Sequence, residues 1–371
     1  METTWSTFPI WILFRCGIFG HKSRITISLR AKVLIWAVLC VVVVTLVSAY
    51  AISHMQINLP FSHSATRSNV RDMLMEIQVR NTTVLTPRPD ACEACFSHNF
   101  KYVIDNDVMC KLYNDSQEID LIILIFTTHQ HQKERNAIRQ TWLNYTNRNK
   151  ANIRYSFLLG EVLDENMRKL VEEESRIHND IIKEDFVDTY QNLTHKIMMA
   201  FKYTITKCSH AKFILKTDDD VWVNIPGLLK VLQREKMILQ TAVAGACFHG
   251  ANPHRNPDSK WYASFQSYPH DSYPGFCSGT GYVTSNNVAK KIFEISKNVP
   301  FFHLEDVYVA MCLRKLGYRL HKIAGFNIGR PPFDPCLYKG DNLITSHEVP
   351  SEMLISYWNT TCTRWKPHFL V

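Results

Sequence analysis

The chain has 371 residues, 46% hydrophobic and 20% charged, with a formal net charge of +8 at pH 7. The charge is mild, sits partly in the N-terminal tail and comes with no nucleic-acid motif, which excludes nucleic acid as a partner. With the N-terminal segments set aside, the length suffices for one large core or two small ones.

Residues 33–52 carry no charged side chain, and a helix of that length crosses the hydrocarbon core of a bilayer. Arg15, Lys22, Arg24, Arg30 and Lys32 precede the stretch against the single acid Glu2, whereas Arg67 and Arg71 are the cations just after it. Positive charge stays cytosolic, so the reading is a type II protein: tail 1–32, signal-anchor 33–52, and the rest luminal. A cleaved signal peptide competes, but the apolar run is too long and the basic leader too extended. The apolar patch at 8–14 is stopped by Arg15 and is too short to span. Sequons at Asn81, Asn114, Asn144, Asn192 and Asn359 all lie beyond the span, within reach of glycosylation machinery. Cys16 and Cys40 fall in tail and span, leaving Cys92, Cys95, Cys110, Cys208, Cys247, Cys277, Cys312, Cys336 and Cys362 for an oxidising compartment. Cys92-Glu-Ala-Cys95 has no matching second pair, so structural disulfides fit better than a redox or zinc site. The luminal number is odd, so at least one thiol stays free or pairs between chains. Residues 53–90, rich in Ser, Thr, Asn and Pro, read as a stem.

Leu121-Ile122-Ile123-Leu124-Ile125-Phe126 predicts a strand covered on both faces. After it come a helix at 133–142, a strand at 155–159, a charged helix at 165–175, a short strand at Ile181-Ile182 and a helix at 190–207 with Ile197, Ala200, Phe201 and Thr204 on one face. A buried strand at 213–217, a helix at 226–236 and a strand at 242–247 continue the alternation, which argues for an α/β sandwich. Past Gly250 the chain turns to loops rich in Pro, Tyr and Gly, then to helices at 287–297 and 305–316.

Asp218-Asp219-Asp220 ends the strand at 213–217, and Val221-Trp222-Val223 follows at once. Three adjacent carboxylates repel one another, and packing gains nothing from that, so a divalent cation is the natural reason to hold them. The plainer reading is a solvated acidic turn; the apolar flanks argue against it. Strand carboxyl ends are also where open α/β sheets place ligands.

Four further features carry chemistry less specifically. Glu305-Asp306 opens the helix at 305–316, where the dipole favours an ionised carboxylate fit to accept a proton; ordinary N-terminal capping is the alternative. Arg135 and Arg139 stand four apart on one helical face, ready for a diphosphate or for carboxylates, or simply solvated. Cys277-Ser278-Gly279-Thr280-Gly281-Tyr282 offers flexible backbone for close ligand approach. His347 could ligate metal, though a single histidine is usually something plainer.

In combination these segments resemble the β-1,3-galactosyltransferase family: Arg135-x-x-Ile138-Arg139-x-Thr141-Trp142; Glu184-Asp185-Phe186-x-Asp188-x-Tyr190-x-Asn192-Leu193-Thr194; Lys216-Thr217-Asp218-Asp219-Asp220; Phe276 to Tyr282; and Glu305-Asp306-Val307-Tyr308-Val309. The resemblance implies a type II Golgi membrane enzyme with its catalytic domain, 91–371, in the lumen. The fold would be GT-A-like, a mixed, mostly parallel central sheet flanked by helices. It implies Mn²⁺ held by Asp218, Asp220 and His347, with Asp218 also helping to hold the UDP-sugar. Asp219, Lys216, Gly279, Gly281 and, less directly, Arg135 and Arg139 would lie on the nucleotide side. Asp306, with Glu305 beside it, would be the catalytic base. The expected reaction moves galactose from UDP-galactose in β-1,3 linkage to a terminal N-acetylhexosamine of a glycoprotein or glycolipid glycan, and the loops after Gly250 would serve that acceptor. A β-1,3-N-acetylglucosaminyltransferase is the near alternative, and a catalytically silent Golgi glycan-binding or scaffold protein the distant one. A phosphotransferase lacks its phosphate-cradling Gly-Lys loop. A second copy of the chain is left open as a partner. Ala310 stands where the family commonly has glycine, which predicts tighter packing or a slightly altered acceptor wall and not lost activity, and 325–335 matches the family pattern poorly.

Overall fold

The computed structural model describes residues 88–112, 114 and 117–363. The tail, the span at 33–52, most of the stem and the Asn81 sequon lie outside the described residues. Among the described residues no helix is long and apolar enough to cross a membrane.

In chain order the elements are β1 (Tyr102–Ile104), β2 (Leu121–Phe126), α1 (Gln132–Gln140), β3 (Ile153–Glu161), α2 (Glu165–His178), β4 (Ile181–Val187), α3 (Leu193–Lys207), β5 (Phe213–Asp218), β6 (Trp222–Val223), α4 (Ile225–Glu235), β7 (Ala242–Phe248), β8 (Phe276–Ser285), α5 (Asn286–Ser296), α6 (Glu305–Leu316), β9 (Arg319–Lys322), β10 (Phe326–Asn327), α7 (Pro335–Tyr338), β11 (Thr345–Ser346) and α8 (Ser351–Asn359). The main sheet runs β1-β4-β3-β2-β5-β8-β7-β9, and β10-β11-β6 form a small second sheet. Strands β4, β3, β2 and β5 are parallel. β8 is antiparallel to both β5 and β7, so the architecture is mixed α/β.

The alternation of strand side chains divides the apolar residues between two cores. From β2, Ile122, Leu124 and Phe126 join Ile197 of α3, Val288 of α5 and Tyr308 of α6 on one face. Leu121, Ile123 and Ile125 join Ile138 of α1, Val171 of α2, Leu228 of α4 and Leu354 of α8 on the other. This is why β2 reads as unbroken hydrophobic sequence. Two of the helix starts show local capping of this kind: Asp164 accepts from the N–H groups of Asn166 and Met167, and Ser285 from that of Val288.

Two readings are corrected here. The segment 277–282 is not a flexible loop but lies within β8, a ten-residue strand paired on both sides; its glycines hide the period-two pattern that Tyr282 and Val283 resume. β4 extends to Val187, well beyond Ile181-Ile182, because its charged residues are neutralised where they are buried, Glu184 by Lys202 and Lys183 by Glu161. Disulfides join Cys92 to Cys95, Cys110 to Cys208, Cys247 to Cys277 and Cys336 to Cys362. Cys312, buried in α6, is the free thiol among the described residues.

Candidate active site

β5 delivers Asp218 to its carboxyl end, and the small sheet brings the distant His347 beside it. β11 pairs antiparallel with β6, setting Ser346 opposite Trp222 and Thr345 opposite Val223. His347 therefore falls next to the acidic turn, and the Val349 N–H locks it there by donating to the Asp220 carbonyl at 2.9 Å. Asp218, Asp220 and His347 each present one ligand atom, all within 4.8 Å of one another. His347 Nδ1 lies 3.1 Å from the Ile328 carbonyl, to which it donates as the Nδ1–H tautomer, and Nε2 faces Asp220 Oδ2 at 3.2 Å. Imidazoles that bind metal commonly carry such an outer hydrogen bond. Burial works to raise the Asp220 carboxyl, but the bond and charge of His347 outweigh it and hold the group below its ordinary value. The Asp220 bond in turn raises the imidazole, against its burial. Two carboxylates and one imidazole suit a divalent cation.

Asp219 turns the other way. Its Oδ2 lies 2.9 Å from Nδ1 of His131, the residue before α1, and it is 7% exposed. The triplet is thus divided between the Asp218–Asp220 pair that gathers with His347 and a member that ties the turn to α1.

Lys216 connects the acidic turn to α6. Its Nζ donates to Asp218 Oδ1 at 2.7 Å and to the Gly279 carbonyl, and lies 3.2 Å from Glu305 Oε1. Burial would depress this ammonium, and the two carboxylates more than offset it. Glu305 is 4% exposed, accepts from the Tyr282 hydroxyl at 3.1 Å, and is pushed up to about 7 by burial, against Lys216 and with help from the Asp306 and Asp218 charges. It caps nothing: the N-terminus of α6 has no side-chain cap. Asp306, one residue on and partly exposed, accepts from the Gly279 N–H at 3.1 Å through Oδ2 and from the Val307 N–H through Oδ1. Burial outweighs those bonds and the helix end, so its carboxyl sits above the ordinary range, contrary to the dipole argument alone. Gly279 is the contact point of the network: a Cβ there would stand 2.9 Å from Glu305 Oε1. Gly281, one pleat along, has ordinary space around it.

The arginines do something other than meet a diphosphate. Arg135 is fully buried and grips Glu174 of α2 through Nε at 2.8 Å and Nη2 at 2.6 Å, while donating to Thr127 and to the Thr128 carbonyl. Arg139 grips Asp180 through Nε and Nη2, both at 2.8 Å. Both guanidinium groups are saturated inside the fold, so the nucleotide-side assignment gives way to a structural one. Much of the segment 184–194 is structural too: Asp188 pairs with buried Lys196 at 2.7 Å, and the Thr194 hydroxyl donates to the Phe302 carbonyl. Ala310, one turn beyond Asp306, is 3% exposed, so its methyl group packs inside.

His131 escaped the sequence reading, and Tyr282 and Tyr190 entered it as members of motifs with no role of their own. The Tyr190 phenol, 41% exposed, is pushed up to about 12 by burial and by the nearby charges of Asp306 and Asp218. Its place in the motif at 184–194 was the available signal. A cavity of about 700 Å³ lined by Lys212, Phe213 and Lys290 lies at the opposite, amino end of β5, away from this chemistry.

The family model described as Galactosyltransferase matches residues 133–324. The chain is 40% identical over 263 residues to beta-1,3-galactosyltransferase 1 of Mus musculus and of Homo sapiens, covering 71% of this chain and 78% of each relative. It is 39% identical over 272 residues to beta-1,3-galactosyltransferase 2 of Mus musculus, covering 71% of this chain and 62% of that relative. Among solved structures, the galactosyltransferase LgtC with donor and acceptor sugar analogs aligns with 66% of this chain at 12% identity and a TM-score of 0.35, covering 98% of LgtC, too loosely to bear on mechanism. On the strength of the sequence matches, the chain belongs to the galactosyltransferase family and is a glycosyltransferase.

Proposed function

We propose that this protein transfers galactose from UDP-galactose, with inversion and in β-1,3 linkage, to a terminal N-acetylhexosamine of a glycoprotein or glycolipid glycan. The observation that carries the reading is the junction at Lys216, which ties the Asp218–Asp220–His347 cluster to the Glu305–Asp306 end of α6. Asp218, Asp220 and His347 are the residues that would hold Mn²⁺, and when bound the cation neutralises charge growing on the departing UDP. Lys216 and Gly279 keep the donor-side carboxylates and Asp306 in one frame. Asp306, partly exposed and raised by burial, accepts the proton of the acceptor hydroxyl as that oxygen attacks the anomeric carbon from the face opposite UDP. An α-linked donor then gives a β-linked product with no covalent enzyme intermediate. Glu305, enclosed by Lys216 and Tyr282, positions this frame and does not touch the acceptor.

The luminal, type II Golgi placement belongs to the same proposal, with domains at 1–32, 33–52, 53–90 and 91–371. Incubating purified residues 53–371 with separate UDP-sugars and a panel of N-acetylhexosamine-terminated acceptors tests the activity. Galactose transfer supports the reading, transfer from UDP-N-acetylglucosamine instead moves it to the neighbouring activity, and UDP binding without transfer or hydrolysis from any donor sinks it in favour of a silent binding protein.

A further inference from the structure

Five sequons look alike in the sequence, but the fold sets two of them at the rim of one aromatic groove. Tyr145 and Trp358, 213 positions apart, meet edge to face at 5.7 Å between ring centroids. Behind them Trp222 lies 6.3 Å from Trp358, and the groove, about 250 Å³, is completed by Pro226, Tyr338 and Lys339. That volume falls below the roughly 300–1,000 Å³ of a drug-sized ligand site and suits a single sugar ring. Tyr145 is 45% exposed and directly follows Asn144; Trp358 directly precedes Asn359. Pyranose rings present a face of C–H groups that stacks on aromatic rings, whereas their hydroxyl edges seek polar groups such as the Lys339 ammonium.

We propose that an N-linked glycan on Asn359 occupies this groove, its first N-acetylglucosamine stacked against Tyr145 and Trp358. The inference rests on the luminal placement proposed above. The bond joins Asn359 Nδ2 to the anomeric carbon of an oligosaccharide supplied on a lipid diphosphate; the amide loses a proton and the lipid diphosphate leaves. Asn359 is the last residue of α8 and is exposed. Asn144 and Asn192 are less suited. The Asn144 amide already donates to the Gln140 carbonyl, and the Asn192 amide to the Val187 carbonyl, with Thr146 and Thr194 both buried.

The position has a consequence for the active site. Trp222, at the back of the groove, is in register with Ser346, the neighbour of His347. Lys339 donates to the Trp358 and Thr360 carbonyls, and the Cys336–Cys362 disulfide closes the same segment. A sugar seated there braces the small sheet from outside.

The test uses the full chain purified in detergent, with glycans trimmed enzymatically to one N-acetylglucosamine, and reads site occupancy by peptide mass, thermal midpoint and hydrogen exchange. Trimmed wild type is expected to keep the midpoint of the untrimmed protein. Asn359→Gln and Thr361→Ala, which abolish the sequon in different ways, should each lower it by roughly 2–4 °C, the shift of a modest stabilising contact in a domain of this size, with faster exchange at 351–359 and 142–146. In a Tyr145→Ala background the same sequon changes should have no further effect. Asn359 bare while other sequons carry glycan overturns the proposal, as does an occupied Asn359 whose loss leaves midpoint and exchange unchanged with Tyr145 present. Should no sequon be modified, the luminal placement fails and this inference with it. None of the three readouts depends on transferase activity, so failure of the enzymatic reading leaves the result intact.

Discussion

The Arg135–Arg139–Glu174–Asp180 cluster is buried charge, and the Lys216–Asp218–Glu305–Asp306 cluster is buried at Lys216 and Glu305 and partly exposed at Asp218 and Asp306; the two are also balanced differently. In the first, two guanidinium groups meet two carboxylates through paired hydrogen bonds, with the Tyr155 hydroxyl adding a further donor to Asp180. In the second, one ammonium serves Asp218 and Glu305, with Asp306 and Asp220 close by and His347 as the neighbouring imidazole. A closed cluster leaves nothing for a ligand and holds α1 against α2. A cluster with excess carboxylate is costly in a dry interior unless a cation joins it. The surplus of negative charge, more than the presence of charged residues, is what supports the proposal that the second is the site of chemistry.

The widest separation between the two clusters comes from removing one proton acceptor. Asp306→Asn should cut transfer by about 10²–10⁴-fold, the usual worth of a general base, with UDP binding, read by calorimetry, nearly unchanged. If turnover survives, Asp306 is not the base. Opening the closed cluster should do the reverse. Arg135→Met strips buried Glu174 of its two-pronged partner and leaves it the Arg139 contact at 2.7 Å, at a cost of about 1–3 kcal/mol in denaturant unfolding, and a variant that unfolds like wild type would remove the distinction drawn above.

Cation binding sharpens the contrast at an intermediate scale. Asp220→Ala and His347→Ala should weaken Mn²⁺ by at least the roughly 10–100-fold seen when an outer-shell partner is lost, provided both retain wild-type thermal unfolding; Arg139→Lys should leave Mn²⁺ affinity alone. Unchanged affinity in His347→Ala would strike that residue from the ligand set. Gly279→Ala crowds Glu305 and should cost about 1–3 kcal/mol, the range for overpacking, while lowering kcat more than it raises KM. A pH effect lies outside both clusters. Burial pushes His98 and His129 down to about 4, so each stays neutral in the fold while the unfolded chain takes up a proton below about 6.5. Their contribution is complete above that pH and is lost as pH falls toward 4, by up to about 1.4 kcal/mol per pH unit for each. Denaturation midpoints across that window, with His98→Asn as control, check it.

The sequence by itself determined the parallel half of the sheet. Leu121 to Phe126 reads as a doubly covered strand, and the helices at α1, α2, α4, α5 and α6 follow from local periodicity. It also singled out Asp218, Asp220 and Asp306, because acids that interrupt apolar runs are conspicuous in a linear pattern. Tertiary structure alone decided what those acids face. That His347 stands beside Asp220 depends on the pairing of two-residue strands β6 and β11, too short to leave a periodic signal. That Gly279 touches Glu305 and Asp306 depends on β8 lying antiparallel to β5. Whether Arg135 meets a ligand or Glu174 was equally open, since a guanidinium has the same charge in either setting and only the packing of α1 on α2 chooses its partner.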